Sequence, residues 1–259
     1  MRACRKGLPR GVGLLRTFRS GKEVALPRYH TVVFDCDGTL IDSIADLAAA
    51  GNVVCAAHGW PTFTVSQYKH KVGNGQRTLV RRIMPTELVS DSYAFEQAYE
   101  EFNAYYALHK SDTTAPYAGI LEMLDTLRAA GVRLAVLTNK NDGPAQELVR
   151  GYFGDRFACV QGRVEGLPPK PAPDLMRALL GRLAVDTRLA DACLLPGFLM
   201  VGDSDVDIQA GQAVGMDTCG VLWGFRDRVE LEGAGATHIV ATPADLTAIV
   251  LGEDPAKRA

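Results

Sequence analysis

Four stretches of this chain place acids, hydroxyls or a lysine directly after an apolar or proline-bounded run. In the first, Val32-Val33-Phe34 leads into Asp35-Cys36-Asp37-Gly38-Thr39. Two carboxylates one residue apart on a turn can face one small volume, where their repulsion demands a cation or a shared proton. A divalent metal meets that demand, and Gly38 allows the sharp turn. The second stretch is Leu137-Thr138-Asn139-Lys140. Its hydroxyl and the backbone N–H groups that follow can donate to a phosphoryl oxygen, although a helix cap would use the same threonine. In the third, Pro168-Pro169-Lys170-Pro171-Ala172-Pro173, prolines on both sides keep the backbone out of a helix and fix where the lysine leaves it. At about 4 Å and an effective dielectric near 20, such a lysine attracts a carboxylate by roughly 4 kcal/mol before desolvation. The fourth, Val201-Gly202-Asp203-Ser204-Asp205-Val206-Asp207, offers Asp203 as the best metal ligand and Asp207, a helical turn on, as its support, with Asp205 pointing outward. A hard ion that keeps its waters, such as magnesium, needs only one or two such carboxylates. A calcium loop of the EF-hand type is excluded, since it would carry a central Asp-Gly and a closing glutamate.

These groups need strands to deliver them. The apolar run at 32–34 reads as a buried strand, and after Thr39 the spacing of Leu40, Ile44, Leu47, Ala48 and Val54 predicts a helix, capped by Asp42 or Ser43. From Pro61 to Ser111 no buried strand is evident. Gln76 to Met84 and Asp91 to His109 read as helices, the latter with Phe95, Ala98, Phe102 and Tyr106 on one side. Beyond the Ala115-Pro116-Tyr117-Ala118-Gly119 hinge, helix and strand alternate to the end: a helix at 120–130, then strands near 133–137, 157–160, 198–201, 218–222 and 239–240. The pattern predicts an α/β fold, a doubly wound, Rossmann-like parallel sheet with right-handed crossovers and an inserted all-helical cap domain. Residues 29–44 and 116–259 form the core, and 45–115 the cap. Ligands in such sheets sit beyond the carboxyl ends of the strands, where each candidate acid lies.

The 259 residues are ample for a core with an insert, and 47% hydrophobic content with a net charge of -2 describes a soluble globular protein. No charge field points to nucleic acid, and no apolar run approaches a membrane span. Six scattered cysteines lack any Cys-x-x-Cys spacing, which points to free thiols in a reducing, cytoplasmic compartment. Residues 1–28 stand apart, with eight basic residues from Arg2 to Arg28 against the single acid Glu23. They read as a disordered extension outside the fold, with an organellar transit peptide as the lesser alternative. The loop Thr187 to Pro196 is longer than its connection needs.

In order, Asp-x-Asp-Gly-Thr, Thr-Asn, Lys-Pro and Gly-Asp-Ser-x-x-Asp resemble the complete signature of the haloacid dehalogenase superfamily of phosphohydrolases, over everything from Thr31 onward. The resemblance implies that Asp35 attacks phosphorus to form an aspartyl-phosphate. Asp37 then serves as acid and base, Lys170 as a catalytic cation, and Thr138, Asn139 and Lys170 as the phosphate cradle. Mg2+ would be held by Asp35, the Asp37 backbone carbonyl and Asp203. A carboxylate at position 37 implies a phosphatase or phosphomutase, since dehalogenases and phosphonatases lack one there.

The segment Lys69-His70-Lys71-Val72-Gly73-Asn74-Gly75-Gln76-Arg77 resembles the cap loop of bacterial phosphoglycolate phosphatases. It suggests that Lys69, Lys71, Asn74 or Arg77 meets the carboxylate of a small phosphorylated metabolite when the cap closes over the site. Leu222-Trp223-Gly224-Phe225-Arg226 resembles the last strand and loop of the same enzymes, with no role carried over. The expectation is a magnesium-dependent phosphatase, monomer or homodimer, acting on 2-phosphoglycolate. Another small phosphoester, pyrophosphate, a β-phosphoglucomutase-like transfer or a silent regulatory protein stay open as alternatives.

Overall fold

A computed structural model describes residues 16–19, 22–191, 193 and 195–253. Arg16–Arg19 (β1) and Lys22–Ala25 (β2) pair antiparallel with each other, Thr17 opposite Val24, and join neither of the other sheets. Where the sequence suggested disorder throughout 1–28, these eight residues form a small ribbon. Thr17, Phe18 and Val24 favour strands, and a Ser-Gly pair lies between them in sequence. Residues 1–15, and with them most of the basic stretch, lie outside the described residues.

The core begins with Thr31–Phe34 (β3). Ile41–Asp42 (β4) leads into the cap, which comprises Ile44–Ala57 (α1), Val65–Lys69 (α2), Gln76–Ile83 (α3) and Ser92–His109 (α4). Ala115–Pro116 (β5) brings the chain back to Ile120–Ala129 (α5), Arg133–Asn141 (β6), Asp142–Phe153 (α6) and Cys159–Arg163 (β7). Asp174–Arg182 (α7), Thr187–Asp191 (α8), Phe198–Gly202 (β8), Asp205–Gln212 (α9) and Asp217–Val221 (β9) follow, then Arg228–Gly233 (α10), His238–Val240 (β10) and Pro243–Leu251 (α11).

Six strands form one parallel sheet in the order β10-β9-β8-β3-β6-β7. The chain winds outward from β3 through β6 and β7, then crosses to β8 and winds the other way, so the sheet's switch point lies beside β3. Side chains alternate across it. Val32, Phe34, Val136 and Val201 pack on one face with Ile120, Leu124 and Leu127 of α5. Val33, Ala135, Leu137 and Met200 pack on the other with Leu175, Met176 and Leu179 of α7. Covered on both faces, the strands read as continuous apolar runs rather than alternating ones.

The cap has a core of its own, including Leu47, Val54, Tyr68, Leu79, Phe95, Phe102 and Tyr106, with Phe225 of the core domain inserted into it. All four residues expected on one side of α4 are buried. The two chain crossings are bound together, Ile41 pairing with Pro116 and Asp42 with Ala115. Above them, both oxygens of the buried Asp46 accept hydrogen bonds from the backbone and hydroxyl groups of Thr113 and Thr114, at 2.5–3.2 Å. The first cap helix starts at Ile44 rather than Leu40, because the Cys36 carbonyl takes the Leu40 and Ile41 N–H groups into a tight turn. Asp42 and Ser43 were its expected caps. Ser43 occupies the N-cap, but its hydroxyl turns to Asp37. The 187–196 loop contains the short helix α8. Among the described residues no helix is long and apolar enough to cross a membrane.

Candidate active site

Strand register brings the four stretches together. Phe34 lies opposite Val136 on one side and Val201 on the other, so Asp35, Thr138 and Asp203 emerge at nearly the same height at the carboxyl edge. Gly38 has φ +84°, and a Cβ there would collide with the Asp203 carboxylate. Gly224 faces the same carboxylate from the far side, against the Gly38 carbonyl, with no room for a side chain either. Both glycines serve close approach around one acid.

Lys170 is the centre of the floor. Its ammonium contacts Asp35 Oδ1 at 2.8 Å, Asp207 Oδ1 at 2.6 Å and the Leu137 carbonyl at 2.9 Å, which engages all three of its N–H groups. Burial opposes its charge, yet Asp207 and Asp35 together hold its pKa above the ordinary lysine value. Its backbone is fixed by Asn139, whose side chain accepts from Lys170 N at 2.8 Å and donates to Lys170 O at 3.1 Å. Asn139 therefore reaches the cleft mainly by placing Lys170, and the same amide donates to the cap's Gly73 carbonyl at 3.2 Å. Thr138 is buried at the cleft wall, its hydroxyl accepting from Lys140 N at 3.2 Å.

Asp37 is held at both oxygens. Ser43 Oγ donates to Oδ1 at 2.5 Å, and Lys140 Nζ pairs with Oδ2 at 3.1 Å. Lys140, buried, also donates to the Tyr106 hydroxyl of the cap at 2.9 Å. Burial disfavours its charge, but Asp37 and then Tyr106 keep its pKa above normal. The sequence reading quoted Lys140 without assigning it a role. Its position two residues past Thr138 on β6 was visible, while the partner on α4 was not.

Asp35, Asp203 and Asp207 offer oxygens within 4.8 Å of one another. Burial, with help from Asp207, pushes the Asp35 carboxyl up to about 7 against the pull of Lys170. Burial and the charges of Asp207 and Asp35 raise Asp203 well above the carboxylate range. Among the described residues Asp203 accepts from Phe225 N at 2.8 Å and, weakly, from the Thr39 hydroxyl at 3.5 Å. Among the described residues no lysine or arginine forms an ion pair with it. A buried carboxylate without a cation, beside a second carboxylate, is the donor set a hard divalent ion requires. Asp207 behaves as a support, accepting from Ser204 and Lys170. Asp205 turns away toward Gln209.

The roof differs from the sequence expectation. The cleft is lined from the cap by Leu47, Val72, Gly73, Gly75, Gln76 and Leu79, and the polar side chains expected there lie elsewhere. Lys71 donates to Arg82 O at 2.9 Å and lies over the Phe63 ring. Arg77 pairs with Glu96 and stacks on Phe95 and Tyr99. Asn74 accepts from Arg82 at 2.9 Å, and Lys69 offers its backbone carbonyl to Arg226. Aromatic faces and helix carbonyls close at hand outcompete a cleft that would need those chains extended. The cation that does line the roof is Arg226, from the loop after β9, which the sequence showed as a motif without a function.

Comparison with known proteins places this geometry among relatives. The family described as haloacid dehalogenase-like hydrolase matches residues 32–221. The chain is 34% identical to a phosphoglycolate phosphatase of Neisseria meningitidis over 218 residues, 83% of this chain and 89% of that protein. It is 33% identical to one of Pseudomonas putida over 239 residues, 89% and 82% of the two chains. Among solved structures, a candidate phosphoglycolate phosphatase of Lactobacillus delbrueckii subsp. bulgaricus superposes with a TM-score of 0.79 at 33% identity. That match covers 87% of this chain and 100% of the other.

Proposed function

The chain belongs to the haloacid dehalogenase-like hydrolases and is a phosphatase, and we propose that it converts 2-phosphoglycolate to glycolate and phosphate through an aspartyl-phosphate. The observation that carries the mechanism is the meeting of Asp35 and Asp203, at adjoining strand ends, with Lys170 from the loop after β7, and Asp37 pinned beside them. The substrate reading is supported by relatives of that name and by the size of the cleft. It encloses about 50 Å³, where one water needs about 10–15 Å³, a space suited to a small ester.

In this reading Asp35 Oδ attacks phosphorus, and the bond to the ester oxygen breaks as Asp37 gives that oxygen its proton. Water then attacks the phosphorus of the aspartyl-phosphate while Asp37 takes its proton back, freeing Asp35 and inorganic phosphate. Acid–base help of this kind is worth about 10² to 10⁴-fold. Thr138 donates to the phosphoryl oxygens and Lys170, its three N–H groups already engaged, supplies positive charge beside them, while Asn139 and Asp207 act through Lys170 by fixing it. Ser43 and Lys140 hold the Asp37 carboxylate in position. Asp35, the Asp37 backbone carbonyl and Asp203 would hold magnesium, which when bound would neutralise phosphoryl charge. Residues 29–44 with the described part of 116–259, which ends at 253, form the catalytic body, and residues 45–115 the cap that shuts water out.

The test is phosphate release from 2-phosphoglycolate beside sugar phosphates, nucleotides, pyrophosphate and para-nitrophenyl phosphate, with magnesium and with chelator. Selective, magnesium-dependent turnover of 2-phosphoglycolate is expected. Turnover of only the other esters would sink the substrate and keep the mechanism.

A further inference from the structure

Among the described residues two cations line the cleft, Lys140 and Arg226, with Lys170 buried beneath its floor, and both lysines already serve an acid there. Lys170 is engaged with Asp35 and Asp207, and Lys140 with Asp37. Arg226 is the third. The rest of the roof, Leu47, Val72, Leu79 and Phe225 with two glycines and Gln76, is apolar or uncharged. A substrate with a carboxylate opposite its phosphoryl group needs a charged donor on that side, because a desolvated carboxylate without one is costly.

Arg226 is built for two tasks. An arginine has five N–H donors in a fixed fork. Here Nε pairs with Glu230 at 3.2 Å, Nη1 donates to the Lys69 carbonyl and Nη2 to the Val72 carbonyl at 2.8 Å. Among the described residues these partners take three of the five, which leaves one N–H on each terminal nitrogen. Glu230 sits on α10, off the cleft lining, so its charge offsets the guanidinium from behind. Arg82 of α3 converges on the same Val72 carbonyl at 3.4 Å, which sets a second positive charge beside Arg226. The chain position matters too. Phe225, the preceding residue, packs its ring into the cap core while its N–H donates to Asp203.

We propose that Arg226 is the specificity-determining residue of this phosphatase. It binds the substrate carboxylate with its remaining N–H groups while its other donors clasp the Lys69–Val72 turn of the cap. The proposal rests on the reading of the substrate as a small phosphorylated acid. One guanidinium then recognises the acid and holds the cap shut, so the ester that supplies the carboxylate also favours closure.

The experiment compares kcat/KM for 2-phosphoglycolate and for ethyl phosphate, its carboxylate-free counterpart of similar size, in the wild type, Arg226→Gln and Arg226→Lys. A charged hydrogen-bonded contact accounts for a ratio of about 10- to 100-fold. The expected result is a wild-type preference for 2-phosphoglycolate that collapses by about that factor in Arg226→Gln. Arg226→Lys should lose most of it as well, since an ammonium lacks the planar fork that meets both cap carbonyls and still presents paired N–H groups to a carboxylate. Equal losses on both esters, with the preference intact, would reduce Arg226 to a cap clasp and overturn the proposal. A wild type without preference would instead overturn the substrate reading itself. Should Arg226→Gln fail to fold, judged by its thermal melt, the same ratio in Arg226→Lys decides the question.

Discussion

Lys170 and Arg226 make an instructive pair. Both are cations that spend three donors on neighbours, yet Lys170 is buried beneath the floor of the cleft and Arg226 lines its roof at the seam with the cap. Two partners of Lys170, Asp35 and the Leu137 carbonyl, lie at strands whose heights the parallel register has already set, and the third, Asp207, is in the first turn of α9, directly after β8. Those of Arg226 are carbonyls of a separate helical body, met only because that body lies over the loop. A floor residue is placed by sheet topology, and a seam residue by how two bodies dock. Floor changes should therefore strike chemistry, seam changes preference, and cap-surface changes very little.

The largest effect is expected at the floor. Asp35→Asn removes the proposed nucleophile but keeps the shape, and turnover of every ester should fall by about 10⁴-fold or more, as for other groups that act as a unit. Phosphate release with a matched thermal melt checks it. Residual activity within about 100-fold of wild type would mean that another group attacks phosphorus, and the contrast between floor and seam would lose its first half.

The floor was legible in the sequence for a physical reason. Asp35, Thr138 and Asp203 follow apolar runs that can only be buried parallel strands, so their convergence follows from topology. Lys170 was marked by its prolines. The helical insert and the buried side of α4 followed from spacing alone. Lys140 and Arg226 were not legible, because their partners, Tyr106 and the Lys69–Val72 turn, belong to the cap. Lys71 and Arg77 misled for the converse reason. A flexible basic chain near a glycine turn shows its charge in the sequence, while the ring or acid that captures it does not show. The ribbon of β1 and β2 was missed because a strongly basic composition masked two four-residue segments with few strand-favouring residues and no alternation.

An intermediate effect is expected at the hinge, which tests whether the cap is held from its base or only along the seam. Burial alone would raise the Asp46 carboxyl, but hydrogen bonds from Thr113 and Thr114 outweigh it and lower the pKa below 3.8. A depressed folded pKa means the ionised form stabilises the fold. The contribution is present above the unfolded value and disappears as pH falls through the folded one. Asp46→Asn, which turns an acceptor into a donor against four donors, should cost about 1–3 kcal/mol near neutral pH. Urea unfolding of both proteins should show the gap narrowing as the pH goes below 3.8. A gap constant with pH would assign the loss to packing instead of charge.

The smallest effect is the most pointed test of the comparison, because it concerns residues whose charge argues for function and whose geometry argues against it. Arg77 is bound to Glu96 and stacked between aromatic rings, and Lys71 lies 3.9 Å from the centre of the Phe63 ring. Neither lines the cleft. Arg77→Ala gives up a partly exposed ion pair, worth less than about 1 kcal/mol, together with stacking that belongs to the cap's own stability. Lys71→Ala gives up a cation–ring contact of about 0.5–1 kcal/mol. Both should leave kcat/KM for 2-phosphoglycolate within about two-fold of wild type, the scale of ordinary surface changes. A ten-fold fall specific to the acidic ester in either variant would return recognition to the cap loop. It would also require the closed cap to turn that loop inward, against the contacts that now hold both side chains away. Without such a fall, what the cap contributes at this turn is its carbonyls, and the charge that reads the substrate comes from the core.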